Sequence, residues 1–171
     1  MSSQRKSAIL AHLEENRTVF TSRVSSISES EASKSRGPGC WTILEIVEHV
    51  GRAEGGMLRL LQSARPVDTS LESAEKEAEL SRRIHSRENP ASAPERVHPT
   101  GEFSSLAAAL EAWSGARRAT ADFVVSWDVD LDFVTAKHPL FGVVSGYQYL
   151  LIMAGHAARH LAQIDEIRAS A

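Results

Sequence analysis

The chain has 171 residues, enough for one domain that buries a full core without disulfide staples. Hydrophobic residues make up 42% and charged residues 24%, which is typical of a soluble globular protein. The formal charge of −3 argues against a protein that binds nucleic acid or anionic membranes through a strong positive field.

The sequence also predicts a compartment. Cys40 is the single cysteine, so the chain forms no internal disulfide, and a lone thiol suits a reducing environment. No apolar run approaches the roughly 18 residues of a membrane helix, and the first residues lack the apolar stretch of a secretory signal. We therefore expect a cytoplasmic protein. Cys40 precedes a predicted helix, where a thiolate is favoured, but no histidine is near it in sequence, and we expect a buried, inert thiol.

Two long helices are predicted in the first part of the chain. The first covers about residues 3–28 and ends in a serine-rich run. Its apolar residues recur at helical spacing: Ile9, Leu13, Phe20, Val24 and Ile27. The second begins at Thr42, whose side chain forms a capping box with Glu45, and it ends at the break made by Arg65 and Pro66.

Residues 64–100 are predicted to form a long connection. The charged segment 69–85 is compatible with a short exposed helix, whose inward residues are Leu71, Ala74, Ala78 and Ile84. Three prolines, Pro90, Pro94 and Pro99, interrupt the remainder. A connection of this length is unusual unless it is functional or partly disordered.

Two more long helices follow. The third covers about residues 104–126, and the segment 128–142 is predicted to be irregular. The fourth begins at Ser145, which forms a capping box with Gln148, and continues past Ile167. Residues 1–171 are thus predicted to form one all-α domain, a four-helix bundle with the long connection between its second and third helices.

Three of the seven histidines are spaced like metal ligands. His156 and His160 are four residues apart on the last helix, so both rings leave the same face one turn apart. His49, at the border of the buried face of the second helix, is the best candidate for a third ligand. An all-helical path would place His138 roughly 27 Å from His156, which argues against His138 as a ligand. A chain that folds back would bring it closer, so the exclusion is weak. We expect His12, His85, His98 and His138 to be surface or hydrogen-bonded histidines.

Small side chains near these histidines predict a pocket. Ala53 and Gly56 lie close to His49 on the helical wheel, and Gly155 and Ala157 flank His156. The glycines of the second helix indicate close approach by a helix or a ligand, or loose packing.

Three polar residues have two interpretations each. Glu45 lies one turn before His49 and would orient that ring, although its capping role already explains it. Gln163 follows His160 by almost one turn and would hydrogen-bond a bound water, or would be a surface amide. Arg159 would hold an anionic substrate, or would pair with a surface acid.

Three segments carry a resemblance to a known family. Residues 39–49, GCWTILEIVEH, together with Glu54, resemble the first motif of the DinB/YfiT-like family. Residues 138–142, HPLFG, and residues 156–164, HAARHLAQI, resemble its second motif. The order and spacing match from Trp41 to Ile164, so the resemblance covers most of the chain.

The resemblance implies a DinB/YfiT-like four-helix bundle, a homodimer, and one divalent metal ion, zinc or nickel. It implies that the ligands are His49, His156 and His160. Relatives include bacillithiol transferases and mycothiol-dependent maleylpyruvate isomerase. The variable connection 64–100 would border the substrate pocket, so the resemblance implies no particular substrate.

Two functions are compatible with this pattern. In the first, a metal-dependent enzyme, three histidines leave positions on the ion for a thiol or for water. The chain would then be a thiol S-transferase acting on a small-molecule thiol and a small electrophile, with a metal-dependent hydrolase as the alternative. The second is a non-catalytic metal-binding bundle that acts as a stress-associated binding module.

Overall fold

The computed structural model describes residues 3–88 and 92–170, so Pro90 lies outside the described residues. Its helices are α1 (Ser3–Ser25), α2 (Glu29–Ala32), α3 (Ile43–Gln62), α4 (Ala74–His85), α5 (Leu106–Ser126) and α6 (Gly146–Ala169). Its strands are β1 (Arg65–Pro66), β2 (Val134–His138) and β3 (Gly142–Ser145). Single turns of 3-10 helix cover Glu95–Val97 and Leu131–Phe133.

The four long helices α1, α3, α5 and α6 form the predicted four-helix bundle. Both α1 and α3 pack against α5 and against α6, while the shorter α4 packs on the outside of α6. The apolar core has two clusters, one around Tyr149 and Ile152 and the other around Trp113 and Ile46. The five apolar residues predicted for the inner face of the first helix are all buried, although the last of them, Ile27, lies beyond the end of α1.

Side-chain caps fix where the helices begin. The capping boxes of Thr42 with Glu45 and of Ser145 with Gln148 are both present, as predicted. A third box, Ser28 with Glu31, begins the four-residue α2. The sequence analysis treated that serine-rich run only as the end of the first helix, and α1 ends at Ser25.

The prediction that residues 128–142 are irregular is wrong. They include β2, which pairs antiparallel with β1 and with β3 to form a small three-stranded sheet. In β2 the buried Val134 and Ala136 alternate with more exposed neighbours. This alternation covers only five residues, and the strand is stabilised by pairing with distant segments, which a local pattern does not reveal.

The long connection after α3 contains a helix, as predicted, but with different bounds and a different buried face. Ser73 caps α4, so the helix begins five residues later than the predicted start at 69. Ile84 is buried as predicted, whereas Ala74 and Ala78 are exposed and Leu80 is buried instead. Within the described ranges, none of the helices combines the length and the apolar character that a membrane span requires.

A buried ion pair joins all four helices of the bundle. Arg117 of α5 and Glu54 of α3 are each about 1% exposed, and Nε and Nη2 of the guanidinium donate to the two carboxylate oxygens at 2.8 and 2.9 Å. Arg117 Nη2 also donates to the carbonyl of Met153 in α6 at 3.0 Å. Its Nη1 donates to Asn16 Oδ1 in α1 at 3.2 Å, and Thr120 Oγ1 donates to Glu54. Every charged atom of the pair therefore has a partner, as buried charge requires.

Breaking this pair should strongly destabilise the bundle. The substitution Arg117→Met leaves the Glu54 carboxylate buried without a counter-charge, so we expect the free energy of unfolding to fall by about 3–5 kcal/mol. The double variant Glu54→Met/Arg117→Met removes both charges and should cost clearly less. Urea unfolding of the two variants measures this, and a single variant as stable as the double one would contradict it.

Candidate metal centre

Three histidine side chains from two helices converge between α3 and α6. His49 lies on α3, and His156 and His160 lie one turn apart on α6. The ring centroids are 5.3 Å apart for His49 and His156, 4.8 Å for His49 and His160, and 4.5 Å for the pair on α6. One nitrogen from each ring lies within 4.8 Å of the other two.

Two of the three rings are oriented by a hydrogen bond at Nδ1. His49 Nδ1 lies 2.7 Å from the carbonyl oxygen of Val97, and His160 Nδ1 lies 2.9 Å from Oε1 of Gln163. A carbonyl oxygen only accepts, so Nδ1 donates in both rings and carries the hydrogen. In the neutral form, each Nε2 then presents its lone pair. Metal-binding histidines in proteins are commonly held by such a bond.

Burial keeps the three rings neutral. It lowers the pKa of His49, which is 3% exposed, and it lowers the pKa of His160 to about 3. Burial also lowers the pKa of His156 well below its ordinary value, and the neighbouring rings of His160 and His49 add to this effect. A divalent metal ion binds neutral imidazole, so the donors are already in the required state.

The two donors on α6 are spaced for a divalent ion. The Nε2 atoms of His156 and His160 lie 3.2 Å apart. Two nitrogen ligands at zinc–nitrogen distances of about 2.0–2.1 Å in tetrahedral geometry are separated by about 3.3 Å. Three histidine nitrogens with a vacant fourth position are typical of catalytic rather than structural sites. His49, His156 and His160 could therefore hold one metal ion.

The three rings lie in the wall of a cavity of about 730 Å³, which is within the size range of sites for small molecules. Trp41 stands beside His49 with 4.7 Å between ring centroids, and Phe141 and Leu140 line the opposite part of the wall. Ala53 and Gly56 also line the cavity, as predicted.

A sequence comparison identifies the family. The model of the DinB superfamily matches residues 12–164. The chain belongs to the DinB superfamily. A search of curated proteins found no match.

Two solved structures share the fold of this DinB-superfamily chain. YfiT from Bacillus subtilis, described as a probable metal-dependent hydrolase with an unusual four-helix bundle topology, has a TM-score of 0.64 at 16% identity. The match covers 99% of this chain and 89% of YfiT. TT2238, described as a four-helix bundle protein, has a TM-score of 0.56 at 20% identity, with 94% and 98% of the two chains covered. At these identities the likeness establishes the fold only.

Some predicted neighbours of the DinB-superfamily site have other roles. Glu45 does not orient His49, because its carboxylate accepts the backbone N–H of Thr42 at 2.7 Å and the ring bonds to Val97 instead. Gly155 leaves no room for a ligand, since a Cβ there would lie 2.5 Å from Cγ2 of Ile84, so the glycine admits α4. Cys40 is exposed rather than buried.

Two predictions about polar residues near the histidines are also corrected. Gln163 is not a surface amide, since it holds the ring of His160 and lines the cavity. Arg159 forms no ion pair within residues 3–88 and 92–170, although the charge of Glu166 acts on it, and it too lines the cavity.

His138 is part of the cavity wall, contrary to the expectation of a histidine remote from the site. The antiparallel pairing of β2 and β3 turns the chain back, so His138 lies 5.6 Å from Tyr149 of α6, measured between ring centroids. The backbone N–H of Leu140 donates to its Nδ1 at 3.1 Å. Burial, reinforced by the positive charge of Arg96, lowers the pKa of His138 to about 4.

Glu48 is a positioning residue that the sequence analysis missed. It is 1% exposed, and its carboxylate accepts the backbone N–H groups of Thr100 at 2.6 Å and Gly101 at 3.2 Å. These bonds fix the end of the long connection, and the connection supplies the Val97 carbonyl that holds His49. A glutamate at a buried position of an amphipathic helix, between Val47 and Val50, was the available signal.

The lowered pKa of His138 predicts a pH-dependent stability. The folded state binds fewer protons than the unfolded state between about pH 6.5 and 4, so stability present above pH 6.5 is lost as the pH falls through this window. Because the ring is partly exposed, we expect its contribution between pH 7 and 5 to be about 1 kcal/mol. Urea unfolding with chelator should show a smaller pH dependence for His138→Gln than for the parent. The exposed position His12 supplies the control, His12→Gln, and equal slopes for the His138 variant and the parent would contradict the prediction.

Proposed function

We propose that the chain is a metal-dependent enzyme that activates a small nucleophile. His49, His156 and His160 hold one divalent ion, zinc or nickel. The observation that carries this proposal is the convergence of three neutral imidazoles, one buried and two half-buried, on a cavity large enough for a small-molecule substrate. Membership of the DinB superfamily supports it, because the resemblance implies the same three ligands.

The surroundings of the histidines favour a thiol as the nucleophile. A divalent ion supplies Lewis acidity that lowers the pKa of a thiol or a water molecule. Among the described residues that line the cavity, none is an aspartate or a glutamate, which leaves the ring of His138 as the candidate general base there. A thiol has an ordinary pKa near 8.5, far below that of water, and therefore needs no such base. We thus propose transfer of a small-molecule thiol to a small electrophile.

The residues of this chain orient the reactants and limit water. The Val97 carbonyl and Gln163 fix the rings of His49 and His160, so the vacant side of the site faces the cavity. Trp41 and Phe141 supply apolar walls that bind the carbon skeleton of an electrophile. The 95–101 segment, anchored by Glu48, borders the cavity and restricts access of solvent to the site.

Hydrolysis is the second candidate. One observation favours it, the shared fold with YfiT, which is described as a probable metal-dependent hydrolase. The same three histidines would serve a water nucleophile in place of a thiol.

Metal analysis and an activity screen test the proposal together. Protein purified without a histidine tag should contain stoichiometric divalent metal, and His156→Ala should lack it, because two remaining imidazoles under-coordinate the ion. The parent should accelerate the reaction of cysteine or glutathione with monobromobimane or chlorodinitrobenzene, and the variant should not. His12→Ala, at an exposed position of α1, is the control and should keep both metal and activity. Activity that survives in metal-free His156→Ala would contradict the proposal. Hydrolysis of esters without thiol transfer would favour the second candidate.

Gln163 should affect metal affinity without being a ligand. Gln163→Ala removes the acceptor that fixes the tautomer of His160, and we expect a loss of about 10–100-fold in metal affinity, measured by competition with a chelator. Gln163→Glu keeps an acceptor at the same atom and should retain most of the affinity. If both variants bind metal as tightly as the parent, Gln163 does not position the ring.

A further inference from the structure

The wall of the cavity is strongly basic although the whole chain is acidic. Five arginines line it, and among its described residues there is no aspartate or glutamate. The chain as a whole carries a formal charge of −3. The arginines are Arg36, Arg83, Arg87, Arg96 and Arg159. A concave, low-dielectric surface lined with one sign of charge concentrates ligands of the opposite sign.

Three of these arginines are engaged by acids that lie outside the wall. Arg87 donates two hydrogen bonds to Glu166, and Arg36 also pairs with Glu166. Arg83 pairs with Glu79 one turn away on α4. Their charge is therefore partly compensated within the protein.

The side chains of Arg159 and Arg96 form no ion pair within residues 3–88 and 92–170. Arg159 is half-buried on α6, next to His160 in sequence. Burial and repulsion from Arg87 lower its pKa against the attraction of Glu166, which is itself paired with Arg87 and Arg36. Arg96 lies in the 3-10 turn of the connection, close enough to oppose the effect of burial on Tyr149. Guanidiniums that form no ion pair in a cavity wall favour a ligand that carries a negative charge, because they form strong bidentate bonds to carboxylate and phosphate.

A buried hydroxyl in the same wall also lacks a partner. Tyr149 is fully buried, and within the described structure its hydroxyl forms no hydrogen bond. A buried polar atom without a partner costs free energy, and such atoms are uncommon in folded proteins. An acceptor oxygen of a ligand in the cavity would give this hydroxyl the partner that the protein does not supply.

We propose that the cavity binds its substrate through a negatively charged group, a carboxylate or a phosphate, that is held by Arg159 and Arg96 and completed by the Tyr149 hydroxyl. The inference rests on the proposed function in one respect: it names the chemical class of the molecule that the metal-dependent reaction uses. The charged group serves for binding, and the remainder of the molecule faces the three histidines.

Binding of small aromatic probes tests this directly. Benzoate and phenyl phosphate should bind to the purified parent protein in calorimetric titration at least tenfold more tightly than benzamide, the neutral analogue of benzoate. Affinity for both anions should weaken as salt is added. The ratio of the affinities for benzoate and phenyl phosphate then shows whether the site prefers a carboxylate or a phosphate.

Variants assign the charge to particular residues. Arg159→Gln and Arg96→Gln should each weaken benzoate binding about tenfold while leaving benzamide binding unchanged. Arg82→Gln is the matched control, since it removes the same charge from an exposed position of α4 that lies outside the cavity wall. Tyr149→Phe should weaken benzoate binding without lowering stability, because the free protein loses only an unpartnered hydroxyl. Tyr147→Phe is its control outside the wall.

The result that overturns the inference is equal binding of benzoate and benzamide, or benzoate binding that is unchanged in both arginine variants. The inference would also be overturned if a chelator abolished benzoate binding while the two arginine substitutions left it unchanged, because the metal would then hold the anion. Elemental analysis of the same samples distinguishes a failure of the anion site from a failure of the proposed function. Arginine-dependent benzoate binding by protein that never contains metal supports the anion site while rejecting the metal-dependent reaction.

Discussion

The ion pair between Arg117 and Glu54 is the contact on which the arrangement of the site depends. It is the point at which side chains or carbonyls of α1, α3, α5 and α6 meet in one hydrogen-bonded network. Glu54 follows His49 by little more than one turn of α3, and the Met153 carbonyl precedes His156 by less than one turn of α6. The bonds of Arg117 therefore set the relative height of the two helices that carry the histidines. A slide of one helix along the other would separate the imidazoles and break charged hydrogen bonds in the core.

The second buried carboxylate of α3 has a different consequence. Glu48, which directly precedes His49 in sequence, accepts backbone N–H groups at the end of the long connection. Ordering the connection costs conformational entropy, and these charge-assisted hydrogen bonds stabilise its ordered conformation. Once fixed, it presents the Val97 carbonyl to His49 and closes one side of the cavity. The segment with the least regular structure thus completes the candidate metal centre that the bundle begins.

Local sequence patterns predicted the bundle and the histidine pair on α6, because both depend on short spacings, whereas His49 followed from its place on the helix face and from the family resemblance. Capping boxes located the starts of α3 and α6, and the spacing of four residues placed His156 and His160 on one face. The sheet, the burial of Glu48 and the approach of His138 were not predicted, since each depends on pairing between segments far apart in the chain. The bond of Gln163 to the ring of His160 was neither of the two predicted roles, a bound-water partner or a surface amide, because it requires the rotamer of His160, which no spacing specifies.

The charges of the cavity act on both halves of the proposed chemistry. The cations of Arg159 and Arg87 add to burial and to the His49 ring in lowering the pKa of His160, and Arg96 does the same for His138. The positive charge of the wall therefore adds to burial in favouring neutral imidazole, the form that binds metal, and it also attracts an anion. A divalent ion adds charge of the same sign, which disfavours its binding unless an anion compensates it. An anionic substrate and the ion would then stabilise each other in one cavity, and this mutual dependence favours a site at which the two are bound together.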